Sequence, residues 1–379
     1  MAVRNARPRQ PAPPLPPPPP VAPSGPRHVG LIFLAVLVLA ATVIVGAVLV
    51  SRPEPATVRI AGSLGMFNDP EVRRVLAGHG LRVEQTEFGT RQIAENVDLS
   101  QYDIVVSAST VAAEHLESRL GRRTARYSPF ASPMAVASYT RIVELLRRVG
   151  VAELQPDGTW VFDVSAYLRL VAAKTRWSQI SGNTTYPNPN RVLLATTNPA
   201  YSNSAEMFVA IASHVLNGGE VIADEAAADR VLPQIAPCFA AQGNLPVKTA
   251  DLFREFLVGR DLGPAVPMAL VYENDFTAGR ITDPGAMTND MVLLYPRPNI
   301  LPAHVFTPLT PVGEKLGRLL NSDPDLQRMA RNRWGYRTNT GDYPADMAQH
   351  GLTVARTLTT VNPPKGHLLE RLVDAIVPR

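Results

Sequence analysis

RVLLATTNPAYSNSAEMFVAIASHVL, residues 191–216, reads as a strand, a polar turn and a helix in succession. The run from Arg191 to Thr197 is apolar and strand-like. Met207, Phe208, Ile211, Val215 and Leu216 recur at helical spacing, which predicts an amphipathic helix over about 204–216. Tyr201, Ser202, Asn203 and Ser204 stand before it, and short polar side chains in that place cap helices. A helix N-terminus carries unpaired backbone N–H groups and the positive end of the helix dipole. The stretch is therefore either an ordinary capped helix or the seat of an anionic or polar ligand.

Upstream, Thr57 to Ser63 reads as a strand ending in a Gly-Ser turn, and Asp69 with Pro70 opens a helix. Leu81 to Phe88 alternates as a second strand, Tyr102 to Ser109 forms a third, and the helical TVAAEHLESRL follows. This β-α-β-α-β order predicts a parallel sheet with helices on its faces. Ligands of such sheets bind outside the carboxyl ends of the strands, here Gly62 to Leu64 and Ser107 to Ser109. Tyr127 to Pro133 reads as a kinked polar stretch and Met134 to Ser138 as a strand. Beyond residue 216, Ala265 to Phe276 holds a strand ending in Tyr272, Glu273 and Asn274, and Ala286 to Leu301 holds another. HLLERLVDAIV, residues 367–377, is a final helix.

The first 28 residues are rich in proline and extended or disordered by composition. Val29 to Val50 is 22 residues without a charge, which at about 1.5 Å per residue crosses a bilayer. Its exit, VLVSRPEP, is a poor cleavage site, so an uncleaved signal anchor is expected. Arg4, Arg7, Arg9 and Arg27 on its N-terminal side put that side in the cytoplasm and the rest of the chain outside. The net charge of +4 resides in those four arginines, since the remainder carries 33 basic and 33 acidic residues. A neutral body without a basic block argues against nucleic acid as a partner.

The single cysteine, Cys238, excludes an intramolecular disulfide, and no Cys/His metal cluster can be built around it. GxSxG, GxxxxGK[ST], GxGxxG after a strand and HExxH are all absent. Glu273 at a strand end could serve as a base, an orienting group or a hinge residue, but no partner for acid/base work is evident. No cofactor and no enzyme activity are expected. What recurs is a type of strand end: short, uncharged donors that suit a small polar or anionic solute.

Four segments carry a family resemblance: YDIVVSAS, YSPFASPMAVASY, TTNPAYSNSAEMF, and VYENDF followed by MVLLYPRPNILPAHVF. From about Thr57 to Thr340 the chain resembles bacterial extracellular solute-binding proteins of the second topological type, nearest in character to those for phosphate, molybdate and sulfate. Asn198 stands where that family has Asp, and Ala205 where it has Gly. The resemblance implies a two-lobed α/β domain over residues 56–345, with lobe one at 56–139 and 292–345 and lobe two at 140–291. The Pro-rich tail (1–28), the anchor (29–50) and a linker (51–55) precede it, and a helical extension (346–379) follows. The lobes would close on a solute by hinging near Pro133 to Tyr139 and Tyr295 to Pro298. The expected ligand-binding residues are Ser63, Ser107, Ser109, Ser132, Thr197, Tyr201, Ser202, Asn203, Ser204 and Glu273. The function implied is solute capture for transport or sensing, with a transporter as partner. The alternative is a ligand-free interaction or sensory module of an envelope complex.

Overall fold

The structure is a computed structural model that describes residues 54–377 apart from 63, 90–92, 94–96, 244, 263 and 264, together with Pro17. The Pro-rich tail other than Pro17, the Val29 to Val50 segment and most of the linker lie outside the described residues. Among the described residues no helix is long and apolar enough to cross a membrane.

The first sheet grows from the predicted parallel run. β1 (Ala56–Ala61) pairs parallel with β2 (Leu81–Thr86) and with β3 (Ile104–Ser107). Alternation along β2 buries Leu81 and Val83 and exposes Arg82 and Glu84. Helix α1 (Pro70–Gly78) follows β1, its Asp69 cap accepting from the Glu71 N–H at 2.8 Å. Helix α2 (Thr110–Leu120) follows β3. Tyr127 to Ala131, expected as a kinked stretch, is strand β4.

At Ser132 and Pro133 the chain leaves this sheet for the second. β5 (Met134–Tyr139) is flanked there by antiparallel β8 (Met268–Tyr272) and β9 (Met291–Arg297). Between β5 and β8 come α3 (Thr140–Arg148), β6 (Ala152–Leu154), β7 (Trp160–Asp163), α4 (Val164–Ala172), α5 (Asn203–Leu216), α6 (Glu225–Ile235), α7 (Pro237–Ala240) and α8 (Thr249–Leu262). α9 (Glu273–Thr282) joins β8 to β9. Residues 298–302 carry the chain back to β10 (Ala303–Pro308), which inserts antiparallel between β3 and β4. α10 (Pro311–Ser322), α11 (Pro324–Asn332) and β11 (Arg337–Thr338) complete the first lobe, and α12 (Tyr343–Ala348) and α13 (Gly366–Ile376) end the described chain. The sheet orders are β11-β4-β10-β3-β1-β2 and β6-β7-β9-β5-β8.

Several expectations shift. The second sheet is mixed, with β7 and β9 as its parallel pair. β5 and β9 both belong to it, which moves the crossings from within those strands to 132–133 and 298–302. The two crossing segments bond to each other, Ser132 N–H to the Pro302 carbonyl and Met134 N–H to that of Ile300. Residues 191–197 make isolated bridges in place of a strand. Their N–H groups go elsewhere: Val192 to the Thr175 carbonyl, Leu194 to the Tyr167 hydroxyl and Thr196 to Gln242 Oε1. The C-terminal helix α13 is core, not extension: Leu368, Leu369, Leu372 and Val373 are buried in the same cluster as α5.

α5 itself is buried on nearly every side, from Asn203 through Ser213. Phe208 packs against Tyr167 of α4 and Phe239 of α7, a burial contributing about 2–3 kcal/mol. This packing fixes the helix as a rigid element and points its N-terminus at the other lobe. In the first lobe, Phe306 meets Phe67 and Phe130 edge to face at 6.3 and 6.0 Å. Gly313 brings α10 so close to the chain entering β3 that a Cβ there would lie 1.9 Å from the Asp103 carbonyl oxygen.

Candidate functional site

The turn before α5 is built by Asn198. Its carbonyl accepts from the Tyr201 and Ser202 N–H groups at 3.1 and 3.0 Å, and its Oδ1 accepts from Ala200 N–H at 2.9 Å. Ser202 then occupies the N-cap position in extended conformation, but its side chain makes no capping bond. Among the described residues, no acceptor faces the backbone N–H groups of Asn203, Ser204 and Ala205. All three residues are buried. A buried helix end without a cap calls for a partner of another kind.

The Ser202 hydroxyl is turned into a small network instead. Ser204 Oγ lies 2.8 Å from Thr197 Oγ1, 3.1 Å from Ser202 Oγ and 3.0 Å from Thr249 Oγ1. One hydroxyl has one hydrogen and two lone pairs, so three partners saturate Ser204. Thr197 and Ser204 thus brace the turn from below. Asn203 faces outward from this base. Its Nδ2 donates to the Tyr272 hydroxyl at 3.0 Å and, more weakly, to the Ala108 carbonyl of the first lobe at 3.4 Å. Asn203 Oδ1 is buried and has no hydrogen-bond partner.

Around Tyr272 lies a group of side chains the sequence reading did not single out. The Tyr272 N–H donates to Asp275 Oδ2 at 3.1 Å. Burial pushes the Asp275 carboxyl up to about 6. The phenols of Tyr272 and Tyr336 are raised by burial, and each feels the Asp275 charge. His304 of β10 packs edge to face on Tyr336 at 5.2 Å, and burial holds its ring down to about 4, so it is neutral near pH 7. His304 Nδ1 is buried without a partner. Asn203, Tyr272 and Asp275 come from the second lobe, while His304 and Tyr336 come from the first. The sequence offers a faint signal for Asp275, which stands three residues after Tyr272 as the acidic member of a capping box. It offers none for the pairing of His304 with Tyr336, which is a matter of tertiary packing.

The other expected site residues are dispersed. Ser107 pairs in the sheet opposite Val305 and is buried. Ser109 caps α2 by accepting from Ala112 N–H at 3.2 Å. Tyr201 is 58% exposed. Ser63 lies outside the described residues. Ser132 and Glu273 come together at the crossing: Ser132 Oγ accepts from Asn274 N–H at 2.9 Å, and Glu273 N–H donates to the Pro133 carbonyl at 3.0 Å. Glu273 is the first residue of α9 and is fully buried. Arg337 of β11 holds its carboxylate through two bonds, at 2.6 and 2.8 Å, joining the two lobes by an enclosed ion pair. Among the described residues no group of three His, Cys, Asp or Glu side chains is arranged to hold a metal ion. Cys238 is buried, and burial pushes its thiol up to about 12, well outside the reactive range.

Two α/β lobes joined by paired crossing segments, with an uncapped helix N-terminus facing the strand ends of the opposite lobe, form the fold of the periplasmic solute-binding proteins. Solved structures that share it include the following three. The ferric binding protein from Campylobacter jejuni is 10% identical, with 84% of this chain and 96% of that one covered and a TM-score of 0.54. The periplasmic binding protein AfuA from Actinobacillus pleuropneumoniae, with fructose-6-phosphate bound, gives the same four values. The apo ferric ion-binding protein A of Pasteurella haemolytica is 9% identical, with 84% and 95% covered and a TM-score of 0.54. All three are binding proteins by name. No protein-family model and no curated protein matches the sequence.

Proposed function

We propose that the chain is a membrane-anchored extracytoplasmic solute-binding protein that captures a small polar or anionic solute between its two lobes, for transport or sensing. The observation that carries this reading is the buried, uncapped N-terminus of α5. Its three N–H groups are without acceptors among the described residues, and it faces the Ala108 carbonyl of the first lobe. Such an end holds an anion by N–H donors and dipole, with no need of a salt bridge. The anchor is the apolar run Val29 to Val50, and the four N-terminal arginines set its cytoplasmic side. Of the three structural neighbours, the one with fructose-6-phosphate bound holds a solute of this kind.

The test is titration calorimetry of the full chain in lipid nanodiscs against sulfate, phosphate, molybdate, sugar phosphates and neutral polar solutes. An anionic member of the panel binds, and Asn203→Asp weakens it by about tenfold or more by placing a carboxylate on the helix end. Silence across the whole panel, or unchanged affinity in the variant, refutes the reading.

A further inference from the structure

The extended run that leads into the turn before α5 also walls a cavity of about 570 Å³. Val192, Leu194 and Thr196 are buried, whereas Arg191 is exposed and Leu193 and Ala195 are half-buried, the two-residue alternation of an extended chain. Arg191, Leu193 and Ala195 all line the cavity. Backbone bonds hold the run at both ends. Ala195 N–H donates to the Met268 carbonyl at 3.0 Å, and the Ala195 carbonyl accepts from Leu270 N–H at 2.8 Å, which fixes it to β8. Val192 N–H donates to the Thr175 carbonyl at 2.8 Å, and Trp177 N–H to the Asn190 carbonyl at 3.1 Å.

The last two bonds bracket Arg176 and Arg191, which face each other as an antiparallel pair. A pair bracketed in this way has Cα atoms about 4.5 Å apart and both side chains on one face. Both arginines line the cavity. Like charges directly opposite repel, yet among the described residues neither arginine is in an ion pair. The Arg176 guanidinium donates one N–H to the Pro189 carbonyl. Glu255 also lines the cavity, but it is exposed and bonds to neither arginine. The remaining wall includes Leu252 of α8 and Tyr186, whose ring meets that of Trp177 edge to face at 5.4 Å.

We propose that this cavity is a second ligand site, for an organic anion whose carboxylate or phosphate group sits between the Arg176 and Arg191 guanidiniums and whose apolar body covers Leu193 and Ala195. Its lining residues lie between 176 and 267, all in the second lobe, so the site is separate from the cleft between the lobes. Two guanidiniums on paired strands offer their N–H donors to the oxygens of one acid group, and the charge of that group removes the repulsion between them. An inorganic anion satisfies the arginines but leaves the apolar floor wet. The volume is in the range of sites for small organic ligands.

The test is titration calorimetry of the full chain in nanodiscs, in the Asn203→Asp background so that the end of α5 repels anions. Phenyl phosphate and benzoate are the probes, with inorganic phosphate and acetate as their ring-free partners. At least one ring-bearing acid binds about tenfold tighter than its partner, and the acid that binds says whether the site takes a phosphate or a carboxylate. Arg191→Gln weakens that acid by about tenfold or more, the loss of one charged contact, and Arg191→Lys weakens it less. Without ligand, Arg191→Gln melts no lower than the native chain, because a repelling neighbour has gone. Silence of both ring-bearing acids overturns the inference, as does an affinity that Arg191→Gln leaves unchanged. Equal affinity for an acid and its ring-free partner overturns it by reducing the site to a bare anion contact. A lower melting temperature for Arg191→Gln also overturns it, by showing that the arginine already has a partner in the folded chain.

Discussion

Asp275→Asn is expected to make the solute-free chain more stable, and the gain should depend on pH in a calculable way. Burial raises the carboxyl from an ordinary value near 3.8 to about 6 in the folded chain. The folded state therefore disfavours the charged form, and the group works against folding wherever it must ionise. Below pH 3.8 it is protonated in both states and has no effect. Above pH 6 it is charged in both, and the full difference of about 3 kcal/mol opposes folding. Between these limits native stability falls as pH rises, with a penalty of about 1.5 kcal/mol at pH 5. Asparagine has no charge to enclose and can still accept from the Tyr272 N–H. For a folded body of roughly 300 residues, 3 kcal/mol corresponds to a rise in melting temperature of about 4 °C at pH 7, shrinking to under 1 °C at pH 4. Differential scanning fluorimetry of the full chain across pH 4–8 measures both. A variant that is less stable at pH 7, or whose gain is flat with pH, refutes the claim that burial raises the Asp275 carboxyl.

Arg337→Met should destabilise the chain by about 3–5 kcal/mol, because Glu273 is then left buried beside Tyr295 with its counter-charge removed. Adding Glu273→Gln should recover much of the loss, and denaturant titration of the two variants separates the outcomes. For topology, Val221→Cys places a thiol on a residue 39% exposed, whereas native Cys238 is buried. A membrane-impermeant maleimide should label that variant on intact cells and leave the native chain unlabelled. Labelling that requires cell lysis refutes the assignment of the domain to the outside.

What the sequence made legible is local. Alternation picked out β2, because a half-buried strand writes its pleat into residue order, while β3, buried throughout, was read from its apolar run. Helical spacing and polar entry residues placed α5 within one residue of its observed start. The lobe boundaries were less accessible, since β5 and β9 are mostly apolar and buried, and such a run does not say which sheet it joins. The stretch 191–197 has strand composition but surrenders its N–H groups to Thr175, Tyr167 and Gln242, a choice made by tertiary neighbours. The site divides in the same way. Ser202, Asn203 and Ser204 stand in one turn and were visible together. His304, Tyr336 and Asp275 converge only when the lobes pack, and Glu273 meets Arg337 across 64 positions of sequence.

The position of α13 has a consequence for how the chain is made. Leu368, Leu369, Leu372 and Val373 fill the core beside α5, while His115 of α2 pairs with Glu370 at 2.9 Å, so this last helix touches both lobes. The first sheet is also incomplete until β10 and β11 have been synthesised. Neither lobe can therefore finish folding as an N-terminal unit during translation. The α5 layer stays uncovered until the final helix leaves the ribosome and, on the proposed topology, crosses the membrane. A chain shortened before Gly366 would expose the apolar face that α13 covers, so truncation at the C-terminus should lead to aggregation or degradation rather than to a smaller working domain.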